Sequence, residues 1–530
     1  MFSIKKKIFL SFLFVYLIIG SFNSLNTGIS FDENYEELNW KFNVKVVTDL
    51  VDAITSEKKF DKKVFDQEVK GYVGYGIGFQ IISQPIQHFI KNFISNNAID
   101  LYGSKLIAKH LVVFLFFFGS GILFYLILKK IIDDENFYIL GTIIYLTYPY
   151  LFGQSMFSPK DIPFMSIWLG CTWYSIKLLD NLIINKDINN INVTLISLIT
   201  AYLISIRFAG ILIFLQYFLL IVFYLNVFKK DFFAFLKYYY KKLLLFLFFT
   251  SIFILILNPI FLIDPLLIIE TFKISASHFN NVGTKTFGTL MYSKDLPPTY
   301  LPIWLSVKLP IIVIIGLIFI PLSEKKMFSE KKNTIILSTL LLSFLSIIFI
   351  LIFRNVHLYD EIRQILFLIP LIFIVSFSSL FFFKKEFFYI LGLITCIFFI
   401  VESFKIRPYQ YVWFNTPSRI IDLSKKFELE YQGISGREIA KFLRNEKNQD
   451  LCILANPIHS IKPFLYKTNF KCYDIWQKID GDYRRPFLAA QNVRNLKKSI
   501  PFGCRSIHET SFKLFFQKEK IITGRVLECS

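Results

Sequence analysis

IFLSFLFVYLIIGSFNSLNTGISFDENYEE, residues 8–37, sets an apolar run directly against four carboxylates, Asp32, Glu33, Glu36 and Glu37. The run from about 8 to 25 is long enough to cross the roughly 30 Å hydrocarbon layer of a bilayer. Read as a span, it holds the densest acid cluster of a chain with formal net charge +20 at the mouth of its first crossing. The basic start and small residues near Ser21 also resemble a signal peptide. The run's length and the lack of an A-x-A site favour a retained span.

The rest of the chain repeats this pattern. Of its 530 residues 54% are hydrophobic and 63 are Phe, more apolar surface than a water-soluble core requires. Apolar runs lie at about 8–25, 107–128, 137–153, 162–182, 192–206, 210–228, 242–262, 304–322, 334–353, 364–383 and 386–402. The expectation is an all-α polytopic membrane protein of about eleven spans, with helices in its outer loops and a small C-terminal α/β domain. The stretch 192–228 would be about 55 Å long as one helix, so it crosses twice, turning near IRFAG (206–210).

Charge orients the spans. Lysines cluster between runs at Lys5–Lys7, Lys129 and Lys130, Lys229 and Lys230, Lys325 and Lys326, and Lys384 and Lys385. Short basic loops mark the cytoplasmic side, so the positive charge reads as topology rather than nucleic-acid binding. With the N-terminus inside, residues 1–402 form the membrane domain of a multi-pass plasma (inner) membrane protein. A first outer loop covers 27–106 and a second 263–303. Residues 403–530 form the outer-face, periplasmic domain. There ISGREIAKFLRNEKN reads as an amphipathic helix, with LCILAN and KIITGRVLEC as strands. Cys452, Cys472, Cys504 and Cys529 fall on the side where disulfides persist and lack a C-x-x-C pattern, so they read as one or two disulfides of undetermined connectivity.

Four outer stations carry charges beside spans, where an unpaired charge is costly. In FDENYEE, Ser30-x-x-Glu33 is a capping-box pattern, and Glu36 and Glu37 read as solvated first-turn residues. Asp32 and Glu33 lie nearest the membrane, where a base could meet a lipid-linked substrate. In FSPKDIPF, Lys160 and Asp161 open a span after a proline. Arg207 stands between two apolar spans, where it needs an anion or snorkels to the interface. HLYDEIRQILFLIP brings Tyr359, Asp360 and Arg363 to a span entrance, and an internal Asp–Arg pair explains them structurally. The 263–303 loop reads as a flexible segment with proline-stiffened re-entry. No P-loop, G-x-S-x-G, H-E-x-x-H or dinucleotide fingerprint appears, which disfavours nucleotide-driven or serine-hydrolase chemistry.

In their order, the acid pair after span one, SPKDIPF, SIRFAG, PPTYLPIWLSVKLP (297–310) and LYDEIRQILFLIP resemble the membrane-embedded GT-C glycosyltransferases. The closest likeness is to the branch of protein O-mannosyltransferases and bacterial aminoarabinose lipid A transferases. IRPYQYVWFN (406–415) and FELEYQGISGREIAKFL (427–443) look like the post-membrane segment of its bacterial members. The resemblance implies a polyprenyl-phosphate-linked sugar donor, an outer-face acceptor hydroxyl on a lipid, glycan or protein, and inversion. Asp32 would be the general base and Glu33 would position the acceptor or share that role. Lys160, Arg207 and Arg363 would bind the donor phosphate, with Asp161, Tyr359 and Asp360 as further candidates. The chain departs from that pattern at Ser158, where related bacterial chains often have His or Asn, and at Gln364, where they have His. No cofactor is implied, and the adjacent acids do not form the D-x-D pair that would indicate a divalent metal. The alternative function is a transporter or flippase of lipid-linked sugars, which would place its charges in mid-span within repeated halves. Here the charges sit at span ends and no halves match.

Overall fold

The computed structural model describes residues 4–530 apart from 56–59, 73, 97, 277–280, 447–449, 476–485, 493–499 and 501. All eleven apolar runs fall on helix. Helix α1 (Ile4–Leu25) is followed by α2 (Glu33–Thr55), α3 (Lys62–Glu68) and α4 (Gly78–Ile94) in the first long loop. Then come α5 (Leu101–Ile131), α6 (Glu135–Thr147), α7 (Pro149–Gln154), α8 (Asp161–Ile183) and α9 (Asn190–Ile206). A tight turn at Phe208–Leu212 leads into α10 (Ile213–Val227) and α11 (Phe232–Leu257). Short helices α12 (Ile260–Ile263) and α13 (Leu267–Ala276) precede α14 (Tyr300–Lys308), α15 (Ile311–Ile318) and α16 (Ile320–Met327). The last spans are α17 (Lys331–Phe353), α18 (Ile369–Phe383), which continues the turn Arg363–Leu368, and α19 (Lys385–Lys405).

Among the described residues, seven of these helical stretches are long and apolar enough to cross a membrane, or eight if α14 and α15 count as one span. That pair bends by 117° at Leu309–Pro310, where proline removes a helical donor. Three expected spans therefore differ from simple crossings. Helix α6 stops after 13 residues before Pro149, α9 has 17 residues, and the 23 residues of α8 include Asp161, Lys177 and Asp180. Asp100, Asp134, Asn189 and Asp231 cap α5, α6, α9 and α11 through side-chain oxygens. The bundle centres on α18, in which every residue from Ile369 to Leu380 is buried, while α11 at the rim buries only Thr250.

Helices α2 and α4 are inside out by the standard of a water-facing helix. Helix α4 buries Gln80, Ser83, Gln84 and Gln87 and exposes Ile82, Phe89 and Phe93. Helix α2 buries Glu33, Glu36, Glu37, Asn39 and Asn43 and exposes Val44, Val47, Val51 and Ile54. Glu36 and Glu37 are therefore buried rather than solvated, because each is paired with a lysine: Lys160 for Glu36 and Lys105 for Glu37.

The second long loop contains an unexpected hairpin, β1 (Gly283–Thr286) and β2 (Thr289–Tyr292). Phe287 and Gly288 both have positive φ at its tip, the two-residue turn that matches strand twist. The expected tail elements are present. After α20 (Leu423–Lys426), helix α21 (Gly436–Arg444) packs on a sheet of β3 (Cys452–Asn456), β4 (Cys472–Ile475), β5 (Phe487–Asn492), β6 (Cys504–Phe512) and β7 (Ile521–Cys529). The order is β4-β3-β5-β7-β6, with β3 parallel to both neighbours and β7 antiparallel to its own. Disulfides Cys452–Cys472 and Cys504–Cys529 each tie residues paired in register on adjacent strands.

Contacts on two sides fix this unit to the bundle. Arg437 donates to the Leu25 carbonyl at 2.8 Å and to Asn26 Oδ1 at 3.3 Å, satisfying the open end of α1. At the adjacent Gly28 an added Cβ would lie 2.0 Å from the Ile434 carbonyl oxygen, so only glycine permits the approach. On the far side, Glu402 of α19 accepts from both Nη1 and Nη2 of Arg419, at 2.5 and 2.8 Å, and from Trp413 Nε1 at 2.6 Å.

Candidate functional site

The acid pair at the mouth of α1 divides. Glu33 turns inward: its Oε1 accepts from the Ser30 amide at 2.7 Å, the return half of a capping box, and both its oxygens lie 3.0 Å from His110 Nε2 on α5. It is fully buried. Asp32, one residue earlier, turns the other way and keeps 38% of its side chain exposed.

There Asp32 meets Arg363, 331 positions away in the chain, in an ion pair through Nη1. Arg363 Nη2 lies 3.2 Å from Asp360 Oδ2, and Nη1 lies 4.0 Å from Asp161 Oδ2. Asp161 in turn holds Arg207 Nη2 at 2.5 Å and accepts from Ser158 Oγ at 3.1 Å. Lys160 pairs with Glu36 at 2.7 Å. Carboxylates and cations thus alternate through a single cluster. The rings of Tyr359 and Tyr431 lie 5.1 and 5.8 Å from the Arg363 guanidinium, and that of Tyr75 lies 4.2 Å from Lys160 Nζ.

Each side chain arrives by a local device. Asp161 opens α8, where the helix N-terminus favours an anion. Arg207 is the extended residue that ends α9. Gly76 brings the Tyr75 segment against that end, since a Cβ there would fall 2.1 Å from the Ser205 carbonyl oxygen. Asp360 and Glu361 both take positive φ, 56° and 68°, a strained conformation for non-glycine residues that surrounding contacts must hold. The hairpin supplies one such contact, as the Asp360 amide donates to Thr284 Oγ1 at 3.1 Å. Gln364 supplies another by accepting from the Tyr359 amide at 3.0 Å. Glu361 points the opposite way, into a fully buried pair with Lys308 Nζ at 2.9 Å. Burial drives the Glu361 carboxyl up to about 7 despite that lysine.

Electrostatics single out Asp32. Partial burial by itself would raise its carboxyl, but the Arg363 charge and hydrogen bond, with Lys160 and Gln432 adding to them, hold it below the usual range. It is an ionised, cation-clamped carboxylate on the open side of the cluster. Chemically the arrangement offers a proton acceptor beside three cations able to face an anion.

The structure therefore brings together Asp32, Lys160, Asp161, Arg207, Tyr359, Asp360 and Arg363, and sets Glu33 apart. Sequence reasoning missed Glu36 as the partner of Lys160, and also Tyr75, Thr284 and Gln432. The glycines of GYVGYGIGF (71–79) signalled a close backbone approach near Tyr75, and Phe287-Gly288 signalled the turn that carries Thr284. Nothing local marked Gln432, whose carbonyl accepts from the Phe31 amide at 2.7 Å. Among the described residues no group of three or more His, Cys, Asp or Glu side chains is placed to hold a metal.

No protein-family model matches the chain, and no curated protein matches it. Among solved structures it is similar to ArnT from Cupriavidus metallidurans bound to undecaprenyl phosphate. The identity is 11% and the TM-score 0.41, over 84% of this chain and 92% of that one. A likeness so distant establishes no residue correspondence.

Proposed function

We propose that this chain is a membrane glycosyltransferase that moves a sugar from a polyprenyl-phosphate-linked donor to an acceptor hydroxyl at the outer face. The observation that supports it most is the meeting of Asp32 with Arg363, Arg207 and Lys160, four residues drawn from separate span ends. Asp32 takes the acceptor proton as the acceptor oxygen bonds to the anomeric carbon. The bond from that carbon to the phosphate oxygen breaks on the opposite side, which inverts the centre. Polyprenyl phosphate leaves with the electron pair, and Arg363, Arg207 and Lys160 stabilise its charge. Tyr359, Asp360 and Asp161 orient the guanidinium groups, while Glu33 shapes the loop that presents Asp32. The inside-out faces of α2 and α4 support a site bordered by lipid, where a tethered donor arrives. The two disulfides support an oxidising, outer location for residues 403–530.

The test is transfer from a panel of polyprenyl-phosphate sugars by the full chain in proteoliposomes. Asp32→Asn is expected to lower the rate at least about a hundredfold, with membrane insertion unchanged. Retained transfer by that variant excludes Asp32 as the base.

A further inference from the structure

Every cation that a donor phosphate would use is already held by a carboxylate. Arg363 pairs with Asp32 and Asp360, Arg207 with Asp161, and Lys160 with Glu36. Four carboxylates against three cations leave the cluster with one negative charge in excess, so it is not a preformed anion hole. Its exposure is uneven as well: Arg363 is 5% exposed and Asp161 2%, whereas Asp32 is 38% exposed. Asp360 is tied to the hairpin through Thr284, and Asp161 begins a rigid helix. Asp32 alone of these partners stands on the open side, in the loop between α1 and α2.

We propose that the donor's phosphate enters by displacing the Asp32 carboxylate from Arg363, so that binding the donor is what frees the base. The inference rests on the glycosyl-transfer reading of the site. Carboxylate and phosphate compete for the same planar fork of N–H donors, and a phosphate offers it more acceptor oxygens. Once released, Asp32 loses the charge and hydrogen bond that stabilise its ionised form and becomes a stronger proton acceptor. Lys160 and Gln432 remain to hold it near the reaction centre. Without donor the base stays clamped, so donor binds before acceptor.

Binding, rather than turnover, tests this. Undecaprenyl monophosphate is titrated into the full chain in nanodiscs for the wild type, Asp32→Asn, Asp32→Ala, Arg363→Gln and the Asp32→Asn/Arg363→Gln pair. Helix content and melting temperature report folding. Removing the competing carboxylate is expected to tighten binding at least about threefold in both single Asp32 variants. The gain is expected to vanish when Arg363 is Gln, because the exchange partner is gone. Equal or weaker binding by Asp32→Asn and Asp32→Ala overturns the exchange and leaves the donor reading standing. A gain that persists in the Arg363→Gln background also overturns it, since that marks long-range charge rather than exchange. Should Arg363→Gln not fold, titration at raised ionic strength takes its place: a gain that salt abolishes marks long-range charge and overturns the exchange, and one that salt leaves supports it. No binding of undecaprenyl phosphate by any form removes the donor reading and this inference together.

Discussion

Two adjacent carboxylates face different surroundings because a capping turn separates their directions. Glu33 accepts from the Ser30 amide and lies fully buried against His110, while Asp32 stays partly open beside Arg363. Glu33→Ala leaves the buried Ser30 amide without its acceptor and His110 Nε2 without its neighbour, and is expected to cost about 1–3 kcal/mol. Asp32→Asn is expected to cost less, because the amide oxygen still accepts from Arg363 and Asp360 remains beside that guanidinium. If thermal denaturation in detergent ranks the two variants the other way, the division of roles is wrong. Glu430 provides a pH signature. Burial pushes its carboxyl up to about 7, against the hydroxyl of Tyr411 and the amides of Gly433 and Gln432 that favour ionisation. Its ordinary value is 4.5, so the folded chain binds this proton more tightly than the unfolded chain does. Its contribution to stability is full below about pH 4.5 and is lost as the pH rises through about 7. Glu430→Gln is expected to flatten that fall in melting temperature, and an unchanged pH profile counts against the shift.

At the level of single elements, α4 is the most telling. GFQIISQPIQHFIKNFI reads as part of an outer loop, yet its glutamines point into the protein while Phe89 and Phe93 point out. Gln84 donates to Glu37 at 3.0 Å and Gln87 donates to Ser83 at 2.8 Å, so much of the buried polar face is paired within the structure, although Gln80 Nε2 and Gln87 Oε1 find no partner among the described residues. Exposed phenylalanines on the other face are stable where lipid, not water, covers them. Nitroxide labels at Phe89 and Phe93 in nanodiscs are expected to relax with oxygen, which partitions into lipid, more than with a polar nickel chelate. Labels at Lys62 and Lys63, on α3, are expected to show the reverse. Preferential nickel access at Phe89 and Phe93 places this face in water. Helix α18 follows the opposite rule: apolar apart from Ser376, Ser378 and Ser379, its sequence suits a helix enclosed on all sides by other helices.

Across the whole molecule, topology is the property that joins site, disulfides and bilayer. A membrane-impermeant maleimide is expected to reach Cys452, Cys472, Cys504 and Cys529 only from the outer side of sealed vesicles, and only after reduction. Cys171 and Cys396 are buried in α8 and α19 and are expected to stay unlabelled. Labelling of the tail from the cytoplasmic side reverses the arrangement. Much of this was legible in the chain itself, because a bilayer imposes a length and polarity on each crossing that apolar runs record residue by residue. The helical character of every run, the tail's helix and strands, and the charged stations at span ends all follow from local composition. How the runs break at Pro149 and Pro310, and which pass as simple crossings, depended on packing as well as length. Glu36 and Glu37 were misread as solvated because their partners, Lys160 and Lys105, lie far along the chain. That Asp32 and Glu33 part, and that Arg363 closes on Asp32 across 331 positions, was decided by tertiary structure alone. A charge's partner is set by which helix ends share one region of space, and no local pattern encodes that.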